Sequence, residues 1–229
     1  MISKISFNLP KVNFATTKAM INNNLERSPK SDQVSFSGAN LLELDADLKS
    51  LLDNSVFTFQ KYNGKEFCGT IKEYLENSII RYENTDRLGT LIHCTHTKEV
   101  ADDIIKNGLD WTKTSRMKCG PGTYFSQSSF GGSEQGAGSV PIVAFYNGKK
   151  DKYPIFEPCF YEAIIYNKEL AETLGKLCGS DKTKVINKYC HDLLQDEMGI
   201  DVLYASSGRS AGAFAVINND CMFLKRYGW

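Results

Sequence analysis

Apolar residues recur at helical spacing in NLLELDADLKSLLDN, where Leu41, Leu44, Leu48, Leu51 and Leu52 share a face and Asn40 stands at the N-cap position. The period shortens to two in VFTFQKYNGKEF, whose β-prone halves flank Asn63-Gly64 and predict a hairpin. TIKEYLENSIIRY predicts a second helix, with Ile71, Leu75 and Ile79 on one side. LGTLIHCT predicts a strand. Thr97 then caps a helix over KEVADDIIKN, whose Val100, Ala101, Ile104 and Ile105 share a face and which Gly108 ends. GPGTYFSQ, VPIVAFY and CFYEAIIYN predict strands, and KELAETLGKLCG and KTKVINKYCHDLLQDEMG predict helices. DVLYAS, AFAVIN and CMFLKRY close the chain as three short strands. No repeat is present and helices do not alternate regularly with strands, so the pattern implies an α+β fold.

Residues 1–39 carry no sustained period and scatter Phe7, Phe14 and Phe36 among Asn, Ser, Thr and Lys. Such a segment buries too little apolar surface to offset its ordering entropy, so a disordered or weakly ordered tail is expected. Residues 40–87 are expected to form a helical and hairpin subregion, and 88–229 the principal domain. SSFGGSEQGAGS, rich in Gly and Ser, predicts a loop within it.

Charge narrows the range of partners. Twenty-seven basic residues balance 27 acidic ones among 229, which argues against a whole-molecule pull toward nucleic acid or an anionic membrane. No apolar run is long enough to cross a bilayer, and no membrane partner is expected. The first residues lack a compact apolar region and a small-residue cleavage site. A cytoplasmic location is therefore expected, or export as an effector without a cleaved signal. The seven cysteines include no CxxC pair, which suits reduced thiols better than disulfides or zinc.

The histidines are His93, His96 and His191. His191 falls inside a helical pattern beside Asp192, where a surface or core role is expected. His93 and His96 flank Cys94 and Thr95 at a strand end, and no ligand spacing around them supports a metal. Cys94 beside a histidine suggests a thiol nucleophile only weakly, because neighbours on a strand point to opposite faces. GxSxG, GxxxxGK[ST] and HExxH are absent, as is a GxGxxG after a strand. Two readings of Gly120-Pro121-Gly122-Thr123-Tyr124-Phe125 stand open. It is a tight turn into a core strand, with His93 a buried strand histidine, or it presents a flat ring to a flat ligand.

Three motifs in order favour the second reading. His93-Cys94-Thr95 ends a strand, Ile104-Ile105-Lys106-Asn107-Gly108-Leu109 ends the helix after it, and Gly120-Pro121-Gly122-Thr123-Tyr124-Phe125 follows a polar loop. Together they resemble the NAD-binding half of the poly-ADP-ribose-polymerase-like ADP-ribosyltransferases, the His-Tyr-Glu type, over roughly 88–224. The resemblance implies a split β-sheet core with flanking helices and a catalytic domain over 88–229. It implies NAD as substrate, no metal, and transfer of ADP-ribose to a macromolecular acceptor, a protein in preference to a nucleic acid, with release of nicotinamide. His93 and Tyr124 are the implied catalytic pair, and His93, Cys94, Thr95, Arg116, Gly122, Thr123, Tyr124 and Phe125 the implied NAD contacts. His93 would bond a ribose hydroxyl, the backbone of Cys94 would clamp the carboxamide, and the Tyr124 ring would stack on the cationic nicotinamide. Arg116 and Lys118 would meet the pyrophosphate.

Two departures qualify this. Cys94 stands where the family has glycine, and Ala213, in Ala213-Phe214-Ala215-Val216, stands where it has the glutamate that opens a late strand. The second departure implies mono-ADP-ribosylation rather than chain elongation. The alternative is an inactive protein that binds NAD or an ADP-ribose-like ligand, or that keeps only the fold for interaction. Glu134 or Glu162 would be the substitutes for the missing carboxylate, with Arg209 and Ser210 as further polar candidates.

Overall fold

The computed structural model describes residue 44 and residues 46–114, 117–127, 138–206 and 212–227. The 1–39 segment, Asn40, Leu41, Arg116, Glu134, Arg209 and Ser210 lie outside the described residues. The first described helix, α1 (Ala46–Asn54), buries Leu52 and leaves Leu51 exposed. A hairpin of β1 (Phe57–Gln60) and β2 (Glu66–Gly69) follows, closed by Lys61 N–H donating to Lys65 O at 2.8 Å. Asn63-Gly64 sits in that turn, with Gly64 at φ +78°.

Helix α2 (Ile71–Asn77) is started by a capping box, in which Thr70 and Glu73 satisfy each other's backbone N–H groups. It ends earlier than the 70–82 pattern predicts. Ser78 caps it and β3 (Ile79–Asn84) leaves as a strand, so Ile79 pairs with Phe156 instead of continuing the helical face. β-Branched residues at 79 and 80 favour that switch. The strand β4 (Thr90–Thr95) and helix α3 (Lys98–Asn107) follow as predicted, with the Thr97 side chain accepting from Val100 N–H and Gly108 at φ +87°.

After β5 (Thr123–Phe125) come β6 (Val140–Tyr146) and β7 (Lys152–Phe156). CFYEAIIYN, expected as a strand, forms the short helix α4 (Phe160–Ile165). Phe160, Tyr161 and Ile164 are its buried residues, at helical spacing, and this packing overrides the β-prone composition. Helices α5 (Lys168–Cys178) and α6 (Lys182–Asp192) precede β8 (Val202–Ala205), β9 (Ala213–Val216) and β10 (Met222–Arg226).

The fold is α+β with a split sheet and flanking helices, the class that the pattern implied. Five strands run in the order β3-β7-β8-β9-β5 and three in the order β10-β6-β4. All neighbours are antiparallel except β7 and β8. Among the described residues one isolated bridge, Ile92 with Ser126, links the two sheets at the β4–β5 seam. Two apolar clusters flank the larger sheet. The helix-side cluster joins Leu203, Ala205, Ala213 and Ala215 to Phe160, Tyr161, Leu170, Ile186 and Tyr189. The cluster on the other side joins Val202, Phe214, Val216, Phe125 and Ile155 to Leu91 and Ala144 of the smaller sheet.

Candidate functional site

The seam between β4 and β5 is where the predicted residues meet. Ile92 N–H donates to Ser126 O at 2.7 Å and Ser126 N–H donates to Ile92 O at 2.9 Å. Continuing that antiparallel register would set Cys94 opposite Tyr124, but the strands part after the single bridge. The imidazole of His93 enters the gap, and its Nδ1–H donates to the Tyr124 carbonyl at 2.8 Å. A side-chain donor thus serves the carbonyl that the ladder would have given a main-chain one. Because a carbonyl only accepts, the bond fixes the proton on Nδ1 and leaves Nε2 as an acceptor in the neutral ring. Burial lowers the His93 pKa, and the Tyr124 carbonyl works against that effect.

Backbone alternation sets the rest of β4. The peptide groups of Ile92 face Ser126, so those of His93 face Ile142 across β6 and those of Cys94 face the seam. The partner of Cys94 on β6 is Pro141, which has no N–H to give. The Cys94 side chain is buried and burial raises its thiol pKa, which disfavours a thiolate nucleophile. Thr95 is buried, its Oγ1 donating to Thr97 O at 2.9 Å and Val140 O at 3.3 Å. His96 is exposed at the strand end.

On β5 the residues alternate. Phe125 is buried between the sheets and its ring lies 5.4 Å from that of His93. Thr123 is buried, and its Oγ1 has no hydrogen-bond partner among the described residues. Tyr124 points to the opposite side, against the helix-side cluster, and stays half-buried. Its hydroxyl donates to Gly120 O at 2.7 Å and accepts from Cys119 N–H at 2.9 Å. The phenol is therefore occupied within its own turn. The turn's glycines serve the fold directly. A Cβ on Gly122 would stand 2.5 Å from Val216 O, and Gly120 adopts φ +116°.

The seam thus brings His93 and Tyr124 together through the Tyr124 carbonyl, while their rings leave on opposite faces of the strand pair. Cys94 and Thr95 border the same seam, Phe125 supports His93, and Gly122 and Thr123 lock β5 onto β9 through Val216. Ala213 opens β9 as the resemblance predicted and is buried in the helix-side cluster, two residues from Ala215, the partner of Tyr124. Glu162, expected within a strand, lies instead in the first turn of α4. Its carboxylate is 3.8 Å from Lys118 Nζ, and its charge bears on the Tyr124 hydroxyl. Helical spacing of Phe160, Tyr161 and Ile164 was the signal that could have placed it there.

No family model matches the chain, and no curated protein matches it. Among solved structures, a chain of the M. tuberculosis MbcT-MbcA toxin-antitoxin complex matches at 9% identity and a TM-score of 0.31. The match covers 68% of this chain and 89% of that one. The functional reading accordingly stands on the seam itself.

Two further observations bear on chemistry. Among the described residues no group of three or more His, Cys, Asp or Glu is placed to hold a metal ion, and no helix is long and apolar enough to cross a membrane. His191 is a core residue. It stacks on Trp111 with ring centroids 4.2 Å apart, and its Nε2–H donates to Ile217 O at 3.0 Å.

Proposed function

We propose that the protein binds NAD at the β4–β5 seam and transfers a single ADP-ribose from it to a macromolecular acceptor, a protein in preference to a nucleic acid. The observation that carries this is the His93–Tyr124 bond across the split. It holds a neutral imidazole with its acceptor nitrogen set by a partner that cannot change role. Such a nitrogen accepts a hydrogen bond from a ribose hydroxyl. The Cys94 peptide faces the same seam and suits the carboxamide, and the Tyr124 ring, on the other face of the strand pair, suits the flat, cationic nicotinamide where the strands part.

In the reaction the bond between ribose C1′ and the nicotinamide nitrogen breaks, and both electrons leave with neutral nicotinamide. The acceptor's nucleophile bonds to the oxocarbenium-like C1′ and loses its proton. Held geometry and charge stabilisation around C1′ supply most of the rate in such a step. A second reading is favoured by one observation. Ala213 puts a methyl group where the resemblance calls for a carboxylate, which suits a protein that binds NAD without consuming it.

Incubation with NAD, followed by chromatography for free nicotinamide and intact-mass analysis of candidate acceptor proteins, separates the two. Nicotinamide release with an ADP-ribose mass increment supports transfer. Saturable NAD binding without release supports the binding protein. Absence of binding overturns both.

A further inference from the structure

We infer that Lys118 and Glu162 recognise the two opposite charges of an oxidised dinucleotide, with Glu162 facing the cationic nicotinamide end and Lys118 the diphosphate. This deepens the reading of the seam as an NAD site and rests on it. The two residues approach Tyr124 from different elements. Lys118 immediately precedes Cys119, whose N–H donates to the Tyr124 hydroxyl at 2.9 Å. Glu162 stands in the first turn of α4, whose Phe160 ring packs on the same turn, 3.5 Å from where a Cβ on Gly120 would be.

Their ammonium and carboxylate are 3.8 Å apart, with the lysine side chain 52% exposed and the glutamate 21% exposed. A pair of that length with an exposed lysine contributes little and separates readily. The glutamate is the more fixed member, carried by a packed helix turn. The lysine has a long, solvated stem and can move. NAD offers each a better partner, because a diphosphate is doubly anionic and the oxidised nicotinamide ring is a cation. With Ala213 leaving β9 without a carboxylate, α4 brings one, Glu162, to the Tyr124 side of the seam.

The test compares NAD⁺ with NADH, which shares the diphosphate but carries an uncharged ring. Titration calorimetry on the full chain should show wild type binding NAD⁺ more tightly than NADH. Glu162→Gln should reduce that preference about five- to tenfold. Any gain from freeing Lys118 raises both affinities together and cancels in the ratio, so the preference reports on the ring charge alone. Lys118→Met should weaken both nucleotides by similar factors. A folded Glu162→Gln protein that keeps the wild-type preference overturns the inference while leaving the seam as an NAD site. If wild type binds neither nucleotide, the site reading falls and this inference with it.

Discussion

At the residue scale, the seam assigns different work to atoms that the sequence could only group together. His93 is committed through Nδ1, which leaves Nε2 as the acceptor nitrogen of the neutral ring. Its folded pKa lies below the ordinary imidazole value of about 6.5. The unfolded chain therefore binds the proton more readily, so this group's contribution to stability is fully present above about pH 6.5. It is lost as pH falls from there through the folded value. Urea midpoints of wild type and His93→Gln should accordingly converge or cross between about pH 7.5 and 5, with wild type losing more. Equal losses would contradict the assignment. Tyr124 makes the complementary prediction. Tyr124→Phe removes two hydrogen bonds to the turn and should cost about 1–2 kcal/mol of stability while keeping NAD affinity, because the ring face remains. Tyr124→Ala should lose the affinity as well. Calorimetry on both variants, with urea curves alongside, makes the distinction.

At the element scale, β5 is held in place by what it lacks. Gly122→Ala would push a methyl group to within 2.5 Å of Val216 O, so β5 and β9 would have to part. A destabilisation of about 1–3 kcal/mol is expected in urea unfolding, and a neutral effect would mean that the strand contact is slack. The same element shows how much was legible beforehand. The β4–α3 unit, with its Thr97 cap and Gly108 stop, and the strands β5, β6, β8, β9 and β10 were written in local patterns. Three features were not. Residues 79–82 read as helix because Ile79 fits the α2 face, yet pairing with β7 wins. Residues 160–165 read as strand because Phe, Tyr and Ile suit one, yet packing against the helix-side cluster makes them helical. The strand β7 carries little local signature, because it is a run of five residues with Pro154 at its centre. The candidate site divided in the same way. His93 and Tyr124 were named from motifs, whereas the Lys118–Glu162 pair joins residues 44 positions apart through the fold and has no local signature.

At the scale of the whole molecule, two sheets meet along one bridged seam, and the proposed chemistry occupies the place where they part. That arrangement sets the His93 and Tyr124 motifs side by side on β4 and β5, and the turn before Tyr124 needs glycine on structural grounds alone. It also gives the Ala213 position its meaning, since β9 delivers an apolar residue beside the seam. Ala213→Glu should therefore cost stability, because it buries a carboxylate in an apolar cluster, and thermal unfolding would report the loss. The most direct test is calorimetric titration of NAD into wild type and into His93→Ala, with circular dichroism confirming that the variant is folded. Loss of one hydrogen bond to the ribose predicts saturable binding by wild type and an affinity lower by about 1–3 kcal/mol in the variant. Equal affinity in the two folded proteins, or no binding by wild type, would contradict the account.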